Sequence, residues 1–368
     1  MKIVIDARES GTSTGRYVDK LIENISAIDH TNQYTLLLKK HRIDIYRNFP
    51  SNFKLAECNI KEFTFAEQTK LAWICYRLKA DLVHFPLVQH PVLYFKKSVI
   101  GILDLTTLRY YNPAKNKYVF WIKQKVYAAV IFIATRKAKH IITISNFVRD
   151  DIIKNFKINP AKITTTYNSA DKLPAPGEPV KVLAGKKFIM YVGRHQPHKN
   201  LPRLIEAHQQ LLTRYPELLL AIVGKEDATT DLLRSKIQDP RSIVFTGFVS
   251  DTQLRWLYEN TACYVFPSLS EGFGLPGLEA MVHSAPVASS NATCLPEVYG
   301  DAAHYFDPLN VEDIASKIED ILSDNSLRAD LIAKGHKQAA KYSWRRMAEQ
   351  TLEIYKKSPQ FLTPNSMN

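Results

Sequence analysis

The chain opens on an almost unbroken apolar run, KIVID (2–6), and then turns polar through ARESGTSTG (7–15). From Arg16 the apolar positions respace, with Val18, Leu21, Ile22 and Ile25 at helical intervals. Short apolar runs return at 34–38, 81–85, 98–103 and 140–144, and helical segments are predicted between them near 62–80 and 115–138. The rhythm restarts in the second half with FIMYVG (188–193), LLLAIVG (218–224), SIVFTG (242–247) and CYVFP (263–267), each followed by an amphipathic stretch. Strands alternating with helices predict parallel sheets wound on both faces, an α/β fold. Between the halves, 171–187 is dense in Pro and Gly and reads as a linker. The predicted organisation is therefore a domain at 1–170, the linker at 171–187, a domain at 188–342, a helix at 343–357 and a polar tail at 358–368.

A chain of 368 residues exceeds what one core usually serves, which agrees with two domains. The four cysteines lie far apart, with no CxxC and no nearby His pair, which predicts a reducing compartment and no zinc site. The N-terminus runs straight into a strand, so no signal peptide is expected. The longest uncharged apolar run, Val126 to Thr135, is too short to span a bilayer. A cytoplasmic location follows as an expectation.

Charge sharpens this picture. Residues 1–170 hold 27 Lys+Arg against 13 Asp+Glu, whereas the rest of the chain holds 22 against 23. A basic half joined to a neutral one implies an anionic partner for the first half, either a membrane surface or a polyanion. Lys115 to Lys139 mixes basic and aromatic residues with a long apolar face and reads as a basic amphipathic helix suited to a membrane interface, core packing of that face being the alternative.

The most informative stretch is CYVFPSLSEGFGLPGLEAMVHSAPV (263–287). A strand runs into a glycine-rich turn carrying Glu271, and a helix predicted to open at Pro276 carries Glu279. Gly272 and Gly274 admit close backbone approach to a ligand. The helix start offers unpaired N–H groups and a positive dipole end. Two carboxylates eight residues apart can accept hydrogen bonds from two parts of one ligand; a capped turn with two surface glutamates is the plainer alternative. The pattern resembles the Glu-x7-Glu motif of retaining glycosyltransferases of family 4. The resemblance covers nearly the whole chain and is most specific in the second half. It implies the GT-B fold, two Rossmann-like doubly wound parallel-sheet domains facing across a cleft, with the C-terminal helix packing back on the N-terminal domain.

Strand 188–193 ends in GRHQPHKNLPRLIEA. Arg194 and Lys199 can neutralise a diphosphate there, and Asn200 is expected to cap the helix that follows, with Pro202 in its first turn. His195 and His198 read as bystanders rather than metal ligands. Gly15 closes a loop, Gly11 to Gly15, similar to the family's flexible glycine loop. GFVSD (247–251) is similar to the loop that touches the nucleotide base, which makes Val249 a donor contact. Glu297 in LPEV (295–298) reads as structural. Two positions depart from the family. Leu103 stands where a His near the transferred sugar is usual, followed by Asp104, a candidate sugar or acceptor ligand or a helix N-cap. Ser284 stands where a glycine is common.

The resemblance implies sugar transfer from a nucleotide-diphosphate sugar, with Glu279 on the ribose hydroxyls and Glu271 on a hydroxyl of the transferred sugar. It further implies backbone N–H groups of Phe273, Gly274 and Leu275 on the sugar and phosphate edge, and Arg194 with Lys199 on the leaving diphosphate. No protein nucleophile, cofactor or metal is expected. GDP-mannose is the first expectation for the donor, and a glycan or lipid-linked acceptor against the basic half. A nucleotide-sugar epimerase and a non-catalytic polyanion binder are the competing readings. Nucleic acid is not an expected partner, because no recognition helix or RNP-type aromatic run is visible. A glycan phosphorylase would need a pyridoxal lysine, which is not identifiable.

Overall fold

The computed structural model describes residues 1–88, 90–110, 117–235, 237 and 239–358. The chain folds into two compact units. The first comprises Met1–Leu108, Trp121–Asn168 and the chain from Ser343 onwards; the second comprises Arg109–Phe120 and Ser169–Tyr342.

The first unit is built on seven strands, β1 (Lys2–Asp6), β2 (Gln33–Leu38), β3 (Phe53–Glu57), β4 (Leu82–Phe85), β5 (Ser98–Gly101), β6 (His140–Thr143) and β7 (Ile163–Thr165). They pair in the order β3-β2-β1-β4-β5-β6-β7, every pair parallel. The second unit carries six, β8 (Phe188–Val192), β9 (Leu219–Val223), β10 (Ile243–Gly247), β11 (Cys263–Phe266), β12 (Val287–Ser290) and β13 (Ala303–Phe306). Their order is β10-β9-β8-β11-β12-β13, again all parallel. Parallel sheets are covered on both faces, which is why KIVID and CYVF run apolar without alternation and why β4 and β11 are buried throughout. In each sheet the strand order reverses beside the first strand, between β1 and β4 and between β8 and β11. Ligands of such sheets bind at the carboxyl ends of the strands flanking that switch. The loops after β1, β8 and β11 are thereby the places to look.

The helix Trp344–Lys357 belongs to the first unit, where it lies against the helix Arg16–Ile28. Tyr355 anchors it: the ring is buried, and its hydroxyl meets Nδ1 of the fully buried His84 at 2.5 Å. Residues 171–187 contain no helix or strand and are tied to the second unit. Leu173 donates its N–H to His283 Nε2 at 3.0 Å and accepts from Arg255 Nη1 at 2.8 Å, and Glu178 donates to Thr252 O at 3.0 Å.

Four strands were not predicted: β3, β7, β12 and β13. The predicted helix at 115–138 is found as Lys117–Lys137, residues 115 and 116 lying outside the described ones. It is not amphipathic in the expected sense. Ile131, Ala134 and Ala138, just beyond its end, enter the core of the first unit, while Trp121, Ile122, Val126 and Phe132 point outwards. Of the predicted tail, 358–368, all but Ser358 also lies outside the described residues. All four cysteines are buried free thiols.

Candidate functional site

In the second unit, the loop after β8 and the loop after β11 are joined at several points. Lys199 Nζ lies 2.6 Å from Glu271 Oε1, with both side chains largely withdrawn from solvent. Leu269 donates its N–H to His198 O at 2.7 Å. Asn200 is at φ +60° and makes no capping bond, contrary to expectation. Its buried amide instead donates to Pro267 O at 3.0 Å and Pro308 O at 2.7 Å, so the side chain clips the end of β11 and the segment after β13 to the helix Leu201–Leu211. A cap bond would have used the amide's oxygen; here that oxygen accepts from Arg203 Nη1 at 2.9 Å.

Glu271 is held through its backbone. Its N–H donates to Thr293 Oγ1 at 3.2 Å, and its carbonyl accepts from the Cys294 thiol at 3.3 Å. Burial, with the Glu271 charge adding to it, keeps Cys294 well above its ordinary pKa, so it is a structural thiol. Phe273 is buried edge-on to Tyr342, ring centroids 5.7 Å apart. Gly274, at φ +84°, precedes the helix Leu275–Val282, and its carbonyl accepts from Tyr299 OH. A Cβ there would lie 2.5 Å from both that hydroxyl and Leu295 Cδ2. Only glycine fits both the backbone and the space.

Glu279 is 4% exposed, and Tyr258 OH donates to its Oε2 at 3.2 Å. Tyr258 is itself fully buried and stacks on His283 at 5.7 Å and 12°. Arg194 is exposed just past β8, and its carbonyl accepts from Tyr191 OH at 3.1 Å. Burial and the neighbouring Lys199 charge push His198 down to about 4, so it is neutral beside that cation. In the loop after β10, Val249 is half-buried while Phe248 is 88% exposed. The second unit therefore gathers a cation paired with a carboxylate, a second buried carboxylate and the start of the helix Leu275–Val282. That array suits a ligand combining hydroxyls with an anionic group.

The remaining candidates, Gly15 and Asp104, lie in the first unit. The loop after β1 begins on Arg8, which is 1% exposed. Its Nε and Nη2 bond both oxygens of Asp6 at 2.8 and 2.7 Å, Nη2 reaches Glu67 Oε1 at 2.8 Å, and Nη1 reaches Ile60 O at 3.2 Å. Gly15 donates to Thr12 Oγ1 at 2.9 Å, and a Cβ on it would sit 1.7 Å from Glu9 O. Asp104 is exposed, and its Oδ1 accepts from Thr106 N at 2.9 Å at the start of the short helix Thr106–Arg109. The cap reading of Asp104 is thus satisfied by one oxygen. Its charge also acts on the buried Tyr127 hydroxyl, whose pKa burial raises first.

Tyr258, Tyr299, Thr293 and Asn200 support this site, and the sequence did not signal them as such. Each acts through tertiary contact; only the glycine at 274 hinted that something presses close.

Residues 178–338 match the family described as glycosyl transferases group 1. An O-antigen chain mannosyltransferase B of Escherichia coli is 38% identical over 231 residues, 60% of this chain and 61% of that protein. The chain thus spans less than two thirds of that relative's length. An O-antigen chain mannosyltransferase of Salmonella typhimurium is 28% identical over 282 residues, 75% of each chain. Among solved structures, a sucrose-phosphate synthase from Thermosynechococcus elongatus superposes with TM-score 0.76 over 97% of this chain and 98% of that one, at 16% identity. That likeness shows the fold alone, and the fold is GT-B.

Proposed function

We propose, from the match of residues 178–338 to the group 1 glycosyl transferases, that the chain moves a sugar from a nucleotide-diphosphate donor to a glycan or lipid-linked acceptor in surface polysaccharide synthesis, with retention of configuration. The observation that carries this reading is the Lys199–Glu271 pair at 2.6 Å. It sets a cation and a sugar-binding carboxylate side by side, where a diphosphate and the sugar it carries must meet. Lys199 and Arg194 stabilise the charge that develops on the leaving diphosphate, the point at which fixed electrostatics contribute most. Glu271 accepts from a hydroxyl of the transferred sugar. Glu279, oriented by Tyr258, accepts from the ribose hydroxyls. The N–H groups of Phe273, Gly274 and Leu275 face the sugar and phosphate edge, with Val249 against the base.

On the family resemblance, Gly15 is assigned to the donor phosphates and Asp104 to the sugar or acceptor. The leaving phosphate takes the acceptor proton, and the two cations do the work a metal would otherwise do. GDP-mannose is our first choice of donor, because relatives of the chain are mannosyltransferases by name. The basic first half suits a location on the cytoplasmic face of an anionic membrane. Calorimetry tests the assignment. Losing a hydrogen bond to a charged group costs about 1.5–3 kcal/mol, so Glu279→Gln weakens nucleotide binding about tenfold or more. Glu271→Gln leaves bare nucleotide affinity nearly unchanged while transfer falls. Both variants binding like the parent would overturn the roles. Transfer in excess EDTA is expected to stay within about twofold of the control.

A further inference from the structure

Sixteen large hydrophobic side chains stand exposed among the described residues, and ten of them fall in the first unit between Phe63 and Ile133. Exposed apolar residues scattered singly are ordinary; a contiguous patch is not. These segments are joined. The Phe63 and Tyr127 rings lie 6.0 Å apart. Tyr76 OH donates to Leu93 O at 3.2 Å and accepts from Phe95 N at 2.8 Å. Lys137 Nζ sits 3.6 Å from the Phe95 ring centre. The helix Ala72–Arg77, the loop around 92–96 and the long helix ending at Lys137 therefore share one surface of the first unit.

Two features indicate what covers it. The long helix is apolar on opposite sides, and its inner side already fills the core, so its outer side needs a second apolar medium. The exposed rings also carry cations: Arg77 lies 4.7 Å from the Trp73 ring centre, Lys125 5.5 Å from Trp121 and Arg136 3.5 Å from Phe132. Within the first unit, residues 63–108 and 121–137 hold nine Lys+Arg against three Asp+Glu, and one of those three, Glu67, is buried. Rings backed by cations, with almost no exposed carboxylate among them, match a layer of lipid phosphates lying over an apolar interior. A protein surface of mixed charge offers no such uniform complement.

We propose that Phe65, Trp73, Phe95 and Trp121 insert into the acyl boundary of an anionic bilayer while Arg77, Lys125, Arg136 and Lys137 meet its phosphates. This goes beyond the charge attraction invoked above, because insertion leaves a component of binding that salt cannot screen.

The test uses the full chain and vesicles of phosphatidylcholine with about a quarter phosphatidylglycerol. Neither nucleotide nor acceptor is present, so its outcome is independent of the transfer reading. Binding is expected at low salt and in part at about 0.5 M NaCl, where charges are screened within a few ångströms. Lipids brominated on the acyl chain should quench tryptophan fluorescence. Phe65→Ser with Phe95→Ser, at exposed positions 82% and 72% accessible, should keep the circular dichroism of the parent and lower vesicle partitioning at least about tenfold. Binding that vanishes at high salt without acyl-chain quenching would overturn the proposal. So would vesicle binding unchanged in the double variant. So, too, would parent dimers in the ultracentrifuge that the double variant dissolves, with no vesicle binding, since the face would then receive a second copy of the chain.

Discussion

In the first unit, the loop after β1 leaves on a buried charge, Arg8, locked between Asp6 and Glu67, and then runs out through Gly11–Thr14, all exposed. In the second unit, the loop after β8 ends on a buried neutral amide, Asn200, and is fastened to the loop after β11 by a backbone bond and the Lys199–Glu271 pair. One loop is buried at its root and exposed at its tip, where Gly11 still donates to Asp19 Oδ2 at 2.9 Å. The other is fixed along its length before any ligand arrives. Groups that must stabilise developing charge gain most from being set in advance, and groups that must close over a ligand cannot be. The difference therefore separates a loop set in advance from one whose tip is left exposed.

Acid should have the largest effect; burial lowers His195, His198, His208 and His283 in the second unit as well, but the lowest values lie in the first. Burial pushes His84 and His90 down to about 3 and His140 down to about 4, all in the first unit. Unfolded, each titrates near about 6.5. Between those values the unfolded chain takes up protons that the folded chain refuses. Stability present above pH about 6.5 is therefore lost as pH falls towards about 3, by at most about 1.4 kcal/mol per pH unit for each histidine. Urea unfolding at pH 7.5 and pH 5, about the two ends of the usual stable range, should show the midpoint falling. Hydrogen exchange should rise first in β4 and β5. A midpoint indifferent to pH would mean that these imidazoles reach water.

Lys199→Ala probes the second unit's loop directly. It removes a cation from the leaving group and leaves Glu271 without its partner, so kcat should fall about a hundredfold or more while the fold survives. If only KM moves, Lys199 binds the ground state and the transition state alike.

Gly274→Ala tests packing instead of charge. The added Cβ meets Tyr299 and Leu295 at 2.5 Å in a backbone conformation that alanine resists. A loss of about 1–3 kcal/mol is expected, read as a lower melting temperature. An unchanged melting temperature would show that this turn can yield. The smallest effect is that of Tyr258→Phe, which removes the hydroxyl that donates to Glu279 Oε2 at 3.2 Å and lies 3.4 Å from Pro276 O. KM for the donor should rise about tenfold with kcat nearly constant; an equal fall in kcat would assign Tyr258 a part in the chemical step.

The second unit is also the half that the sequence made legible. FIMYV and CYVF announce themselves because central parallel strands are apolar on both faces, and EGFGLP followed by GLEAM places Glu271 and Glu279 by local spacing alone. The strands that escaped are of two kinds. β3, β7 and β13 are sheet edges, where FKLAE, ITT and AHYF need less apolar surface. β12 is interior, yet VASS is small and hydroxyl-bearing; Ser289 Oγ donates to Ser290 O at 3.0 Å, and Ser290 Oγ accepts from Ala292 N at 3.0 Å, which lets both be buried. Asn200 misled for a related reason. Its position before a helix signals a cap, but the carbonyls it serves come from residues 67 and 108 positions away. No window of local sequence contains them.

The helix Trp344–Lys357 has a consequence for the order in which the molecule can be made. The second unit is almost contiguous in sequence and is complete once Tyr342 has been translated. The first unit, although its strands emerge first, lacks the helix that covers Arg16–Ile28 and brings Tyr355 to His84 until residues 344–357 leave the ribosome. Domains usually finish in the order of synthesis; here the half begun first is finished last. Throughout that interval its apolar helix face is open, and a nascent chain stalled short of residue 343 carries a complete second unit tethered to an unfinished first one.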